Sequence, residues 1–372
     1  MHRRNVLLLM ISILLAGLTA CAAERDAADT PSKEIQVDHQ PAEWKEEAQA
    51  LHTFIAEQMT GEYGVYTNWK DTGQSEVAAT GHEALSESAG MLLRYYARTG
   101  QKEAFDRTWE QAKATFDLDT GFSYRYSPVH QKVYTLNAAV DDLRLIRALY
   151  EAETVFGTDQ YREEAKSYGE RFITYNVQSS RMYDFYDEAY RVTNDFVTLC
   201  YLDLETLRLL EIPDEQKARL ISGMNDIIQN GYLSDTFPFY ETRYDYSAGS
   251  YSSEGINTVE SLLTILHLAE TGRHQAASIE FIKERVAEGN LYGQYTRDGV
   301  PTNDVRSTAI YAITAMIGAE IDDQELYDVS IRRMHEFKVQ DTSHPLYGAF
   351  GDTVSGQAYS FDNLMALLAY TY

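Results

Sequence analysis

Cysteine is almost missing from this chain. Cys21 and Cys200 are the two in 372 residues, which leaves no disulfide framework and no zinc-ligand spacing. Basic residues are scarce as well, with 32 Lys and Arg against 57 Asp and Glu and a formal charge of −25. A basic stripe able to hold nucleic acid is therefore excluded. Such a field repels polyanions and attracts cationic polymers, although surface solubility alone would account for it. Beyond the first twenty residues no apolar run is long enough to cross a bilayer. Sustained two-residue alternation, the mark of half-buried strands, is rare.

What is present begins with a secretion signal. Arg3 and Arg4 precede an apolar run from Val6 to Leu15 that ends in Leu18-Thr19-Ala20-Cys21. The last four residues resemble a bacterial lipobox, in which the cysteine is diacylated and becomes the first residue of the mature chain. Two acyl chains give stable attachment without a spanning helix. Residues 1–20 are thus expected to be a lipoprotein signal peptide and 21–40 a lipidated cysteine with a polar tether. Removing Arg3 and Arg4 takes the formal charge from −25 to −27. The place implied is extracytoplasmic, on the bacterial cell membrane and held there by lipid alone. Residues 41–372 form one domain, expected to act as a monomer. Cys200, in the apolar run Phe196-Val-Thr-Leu-Cys-Tyr-Leu, reads as a buried thiol.

Apolar residues recur at helical spacing through most of that domain. Five times an apolar helix stops at a short breaker and a more polar helix follows: Thr99-Gly100, Phe156-Gly157, Ile212-Pro213, Thr271-Gly272 and Ile317-Gly318, at intervals of 57, 56, 59 and 46 residues. Each unit is an αα-hairpin, and such units must bury their apolar faces against neighbours. A helix near 42–59 pairs with the last one near 361–371, giving six hairpins. The fold class is all-α, an (α/α)6 barrel with apolar helices inside and amphipathic ones outside; an open solenoid is the alternative.

All inner helices of such a barrel start at one end. The long loops preceding them, 61–83, 118–135, 175–193, 231–252, 288–303 and 339–360, converge there as a functional rim. They are rich in tyrosine, of which the chain holds 28 against 14 Phe. An apolar face with a polar tip suits a sugar ring. Trp69, Tyr183, Tyr186, Tyr190 and Tyr244 are candidates for stacking subsites. Carboxylates mark the inner-helix starts: Glu87, Asp141, Asp142, Asp195, Asp245, Glu254, Asp304, Asp352 and Asp362. One such acid taken alone is ordinary helix capping. Several gathered in one aromatic cleft are what glycosidic hydrolysis requires.

Around Glu87 the chain resembles glycoside hydrolase family 8. That signature runs Ser-Glu-Gly, then a helix, then Phe-Asp-x-x-Trp; here stand Ser86-Glu87-Ser88 and Phe105-Asp106-Arg107-Thr108-Trp109 at the same spacing. The resemblance implies an inverting (α/α)6 enzyme for β-linked polysaccharides with Glu87 as general acid. It looks closest to the lipoprotein hydrolases that accompany exopolysaccharide synthesis and biofilm formation in Gram-positive bacteria. Asp141-Asp142-Leu143 echoes the family's Asp-x-Asp-Leu-Asp and puts Asp142 in the substrate-binding slot. Tyr244-Asp245 echoes Tyr-Asp-Ala-x-Arg without its arginine, which gives Asp245 as general base, with Asp304 behind it. Ser88 replaces the family's glycine.

The implied activity is an endo-acting glycosidase with no cofactor and no metal, since Asp117-Leu118-Asp119-Thr120-Gly121 is too short for a calcium loop. Inversion would need the two carboxyls roughly 6.5–9.5 Å apart. The alternatives are a non-catalytic exopolysaccharide-binding lipoprotein on the same barrel and a polysaccharide lyase or unsaturated-uronide hydrolase; the negative charge argues against the latter. Replacing Cys21 by Ala should move the protein from the membrane pellet to the medium, read by fractionation and immunoblot.

Overall fold

The computed structural model describes residues 42–73 and 78–372. The signal segment, Cys21 and the tether lie outside the described residues. Within them run twelve α-helices: α1 (Lys45–Gln58), α2 (Ser86–Arg98), α3 (Lys102–Phe116), α4 (Ala139–Phe156), α5 (Asp159–Asn176), α6 (Leu204–Leu209), α7 (Asp214–Asn230), α8 (Thr258–Glu270), α9 (Ala276–Glu288), α10 (Thr308–Glu320), α11 (Gln324–Met334) and α12 (Ser360–Ala369). Four of the five expected breakers fall at the ends of inner helices, whereas Ile317-Gly318 lies inside α10, which runs on to Glu320. Gly157, for example, takes the left-handed conformation at φ 63° and donates its N–H to Glu153 O, the geometry that glycine adopts without a Cβ penalty.

Burial separates the helices into two rings. From Thr308 to Gly318 every residue of α10 is buried, as befits a helix apolar all round. By contrast α3 buries Phe105, Trp109, Ala112, Thr115 and Phe116, a single stripe at helical spacing. The even-numbered helices each touch the next, and α12 returns to α2, while α1 packs against α12. That is the closed (α/α)6 barrel with α1 as the last outer helix.

Two further features differ from the sequence expectation. The third inner position is not a full helix. It is a strand, Phe196–Thr198, then a 3-10 turn, Leu199–Tyr201, then α6 of six residues. Asp203 causes the break: its carboxylate accepts from Thr206 N at 2.9 Å and Thr206 Oγ1 at 2.5 Å, an N-cap deep inside the ring. The rim is also not bare loop. After α1, α3, α5 and α7 the chain makes a tight hairpin, at 60–65, 117–122, 177–182 and 232–240. Further strands tie the loops to one another. Segments of two to four residues carry no readable alternation, so the sequence could not announce them.

The ring interior holds buried charges. Glu151 accepts from Arg94 Nη2 at 2.8 Å and Nε at 3.1 Å, and Arg147 Nε lies 3.4 Å from it. Arg147 Nη1 reaches Glu270 at 2.8 Å and Asp203 at 3.5 Å. Burial opposes ionisation of Glu151, yet Arg94 and Arg147 outweigh it and hold the carboxyl below its ordinary range. Removing one partner from such a network strands buried charge, at about 3–5 kcal/mol. Glu151→Ala should lower the unfolding free energy by about that amount, measured by urea denaturation.

Candidate active site

The position of Glu87 is set from two directions. Behind it, the strand Ala84–Leu85 pairs with Arg125–Ser127, and Arg125 grips Glu83 with Nε and Nη2 both at 2.9 Å, neither side chain exposed to solvent. Such a bidentate pair fixes orientation as well as charge. Beside it, Gly90 lets α2 and α4 close up: a Cβ there would lie 2.9 Å from Arg144 Cβ. Two contacts then clamp the helices two turns apart with their charges exchanged. Glu87 faces Arg144, and seven residues on Arg94 faces Glu151.

Arg144 Nη1 donates to Glu87 Oε2 at 3.3 Å and to Asp141 Oδ1 at 2.7 Å. Because both bonds run to one nitrogen, these two oxygens can be no more than 6.0 Å apart. Burial raises the Glu87 carboxyl and Arg144 pulls it back, with the net shift upward. Asp141 is pushed up to about 7, first by burial and then by the charge of Glu87, against the pull of Arg144. The Glu87 side chain is 24% exposed and that of Asp141 9%, so Glu87 is the carboxyl that a ligand can reach.

α8 brings a further carboxyl to the same end of the ring. Glu260 stands in its first turn, where Asn257 caps the helix by accepting from Glu260 N at 3.2 Å. Burial raises the Glu260 carboxyl, while Arg243 and a hydrogen bond from Thr242 lower it. The thiol of buried Cys200 is pushed up by burial, then by Glu260 and Asp184, and drawn back by Arg144. Asp184 accepts from Thr198 N at 2.7 Å and is held at about 6 by burial, against the hydrogen bonds from Thr198. Asp362 caps α10 by accepting from Ala309 N at 2.9 Å.

Several sequence-derived roles do not fit these positions. Asp142 is 1% exposed and accepts from Phe122 N at 3.2 Å and Asn137 Nδ2 at 2.7 Å. A Cβ on Gly121 would stand 2.4 Å from its Oδ2. It is a buried structural acceptor closed to substrate, and its helical neighbour Asp141 faces the mouth instead. Asp245 is a hairpin residue: one oxygen accepts from Ser247 N, Ser247 Oγ and Ala248 N at 2.7–2.8 Å. Those bonds, Ala248 first, hold its carboxyl below the usual range, which keeps it ionised but weakens it as a base. Asp304 is exposed in the loop before α10.

The aromatic candidates scatter. Trp69 is half-buried, and its backbone N–H reaches Ala358 O at 2.9 Å. Tyr186 packs on Tyr175 at 5.0 Å and Tyr183 on Tyr246 at 5.1 Å. Tyr190, at a hairpin tip, is 78% exposed. Tyr244 packs on Tyr251 at 4.9 Å, and Tyr251 OH donates to Ile227 O of α7 at 2.7 Å, so Tyr244 belongs to the barrel flank and not to the mouth. Sequence reasoning passed over Arg144 and Glu260. The i,i+3 step from Asp141 and the spacing of Asn257 to Glu260 were the signals, and both also read as ordinary helix starts.

Among the described residues, Asp203, His267 and Glu270 bring potential metal-ligand atoms within 4.8 Å of one another. The Arg147 guanidinium already occupies that carboxylate pair. No helix among the described residues is long and apolar enough to cross a membrane.

A closed ring of six helical hairpins with carboxyls at one mouth is a glycoside-hydrolase-like fold. It is the (α/α)6 barrel of family 8: a xylobiose complex of a family 8 glycoside hydrolase from Teredinibacter turnerae superposes with TM-score 0.61 at 12% identity, over 90% of this chain and 95% of that one. Within that class the chain belongs to one family with a protein from Clostridium perfringens described as a novel alpha-amylase, at 30% identity and TM-score 0.81 over 87% of this chain and 97% of that one. The Bacillus subtilis (strain 168) protein named "Putative lipoprotein YdaJ" is 25% identical over 377 residues, 98% of this chain and 97% of its own length. No family model matches the chain.

Asp141 gives a pH signature. Its folded carboxyl, near 7, holds a proton that the unfolded one, near 3.8, has lost. The stability it contributes is present below pH 4 and lost as pH rises through 7. Asp141→Asn should flatten the pH dependence of the thermal midpoint between about pH 4 and pH 7, read by scanning calorimetry.

Proposed function

We propose that the protein is a glycosidase of the outer cell surface, with Glu87 as the general acid. The observation that carries this reading is the Glu87–Arg144–Asp141 group at the ring mouth. Burial outweighs the arginine there and raises an accessible carboxyl, the direction that leaving-group protonation needs. The base is reassigned from Asp245 to Glu260, because α8 stands opposite α2 in a ring of six and carries Glu260 in its first turn, at the same end as Glu87. In this mechanism Glu87 protonates the departing glycosidic oxygen. Glu260 takes the proton of a water that attacks the anomeric carbon from the other face, which inverts its configuration.

A second reading rests on the 6.0 Å limit between Glu87 and Asp141. Carboxyls about 5–5.5 Å apart serve retaining enzymes, with Asp141 then the nucleophile. The tight bond from Arg144 and the raised carboxyl make Asp141 a poor one, which favours inversion. The substrate is a polysaccharide cut internally. A β-linked exopolysaccharide follows from the family 8 resemblance, and a starch-like glucan from the description of the Clostridium relative. Attachment through Cys21 agrees with the name of the Bacillus relative and would place this chemistry outside the membrane.

Incubating the mature chain with starch, mixed-linkage β-glucan, xylan and bacterial exopolysaccharides, with products followed by size and by proton NMR, tests the reading. Glu87→Gln and Glu260→Gln should each lower kcat about 10²–10⁴-fold, and Asp245→Asn should leave it within about twofold. Activity should fall as pH rises past the raised pKa of Glu87, because the acid must hold its proton. Retention at the anomeric carbon would move the second role to Asp141. Binding without cleavage of any polymer would leave a lectin-like barrel in place of an enzyme.

A further inference from the structure

The three-stranded sheet made of Phe196–Thr198, Arg243–Asp245 and Ser250–Ser252 has two faces. Side chains alternate along a strand, so Arg243 and Tyr244 point opposite ways. The Arg243 guanidinium lies 4.7 Å over the Phe196 ring and acts on Asp184 and Glu260, on the mouth side. Tyr244, and Tyr246 beyond it, turn to the flank, where Tyr246 OH donates to Met182 O at 2.6 Å. Between them and α7 opens a groove of about 730 Å³.

The lining of that groove is mixed, with two tyrosines, Arg181, Arg219 and Asp226 beside Met224 and Ile227. Tyr244 and Tyr246 offer aromatic surface with ring centroids 5.6 Å apart at 82°. Arg181 lies 5.3 Å over the Tyr246 ring, is exposed, and has no carboxylate within ion-pair distance among the described residues. Asp226 supplies acceptors from α7. At the edge, Ser179 and Ser180 form a two-residue hairpin loop with both residues left-handed, at φ 51° and 58°. Asn-Gly is the ordinary choice for such a loop; serine at both positions accepts an unfavourable backbone and keeps two hydroxyls beside the groove. The aromatic surface of Tyr244, a donor fork, a carboxylate and hydroxyls suit a neutral hydroxylated ring, and Arg219, the other cation of the lining, is paired with Glu215 at 2.5 Å.

We infer that this flank groove is a second saccharide-binding site, outside the mouth, which takes a stretch of the same class of polymer that the mouth receives. The inference rests on the polysaccharide reading only for its choice of probes. The groove shares no residue with the Glu87 group, so a chain held here is held without being a substrate. Its contribution is to keep a polymer at the protein between encounters with the mouth, which raises the effective concentration of further cleavage points.

Affinity electrophoresis of the whole mature chain, in native gels cast with soluble starch, mixed-linkage β-glucan or xylan, tests the site. A Glu87→Gln background keeps the gel polymer intact. Arg181→Ala and Tyr244→Ala should each weaken retardation at least fivefold in the gel that retards the parent, while Tyr244→Phe, which keeps the ring, should retain it within twofold. With Glu87 restored, all three should cleave a six-sugar oligosaccharide at the parent rate. Equal retardation of parent and folded Arg181→Ala, an exposed change that spares the core, would overturn the site, as would a parent that no gel retards. Retardation that depends on Arg181 alongside unimpaired hydrolysis by Glu87→Gln would sink the mouth assignment and leave the groove standing.

Discussion

The contact between α2 and α4 governs the rest of the molecule. Gly90 lets the two backbones close to a distance that any side chain would forbid. The charge-exchanged pairs Glu87–Arg144 and Arg94–Glu151 then lock the register two turns apart. A slip of one residue would break both pairs and leave four buried or half-buried charges without partners, an expensive outcome in a low dielectric. One end of this clamp continues inward to Arg147, Asp203 and Glu270, binding α6 and α8 to the same frame. Its other end opens on the mouth. The carboxyl read as the proton donor is therefore the terminus of a structural network, and its raised pKa comes from the burial that the clamp itself creates.

The ring was legible in the sequence because its signals are strong and repeated. Breakers such as Thr99-Gly100 and Phe156-Gly157 recur at nearly constant intervals, and the amphipathic stripe of Phe105, Trp109 and Ala112 distinguishes outer from inner helices. Rotation about a helix was not legible. Asp141 and Asp142 both stand in the first turn of α4, and one residue step, about 100°, sends one to Arg144 and the other into Asn137 and Phe122. Tyr244-Asp245 matched a motif in letters, but Ser247 and Ala248 turn that aspartate into a hairpin bracket. Nor did composition separate tyrosines that face a cleft from those that brace a flank. Tyr246 and Tyr251 spend their hydroxyls on backbone carbonyls.

The sheet of 196–198, 243–245 and 250–252 shows how a small β element divides labour on a helical frame. Strands of three residues suffice to send Arg243 toward the charged mouth and Tyr244 toward α7. The break at Asp203 makes room for it, since a full helix at the third position would occupy the space of the strand and the 3-10 turn. Shortening one stave thus supplies an attachment point for a surface of different chemistry, at the cost of a buried cap that Thr206 satisfies twice.

α12, made from Ser360–Ala369, wedges between α10 and α2. Without those residues the apolar flanks of α10 and α2 would have no partner and the ring would be an open trough. α1 likewise needs α12 before it can be covered. Closure therefore hangs on α12, and loosening that one helix would uncover α1, α2 and α10 at once.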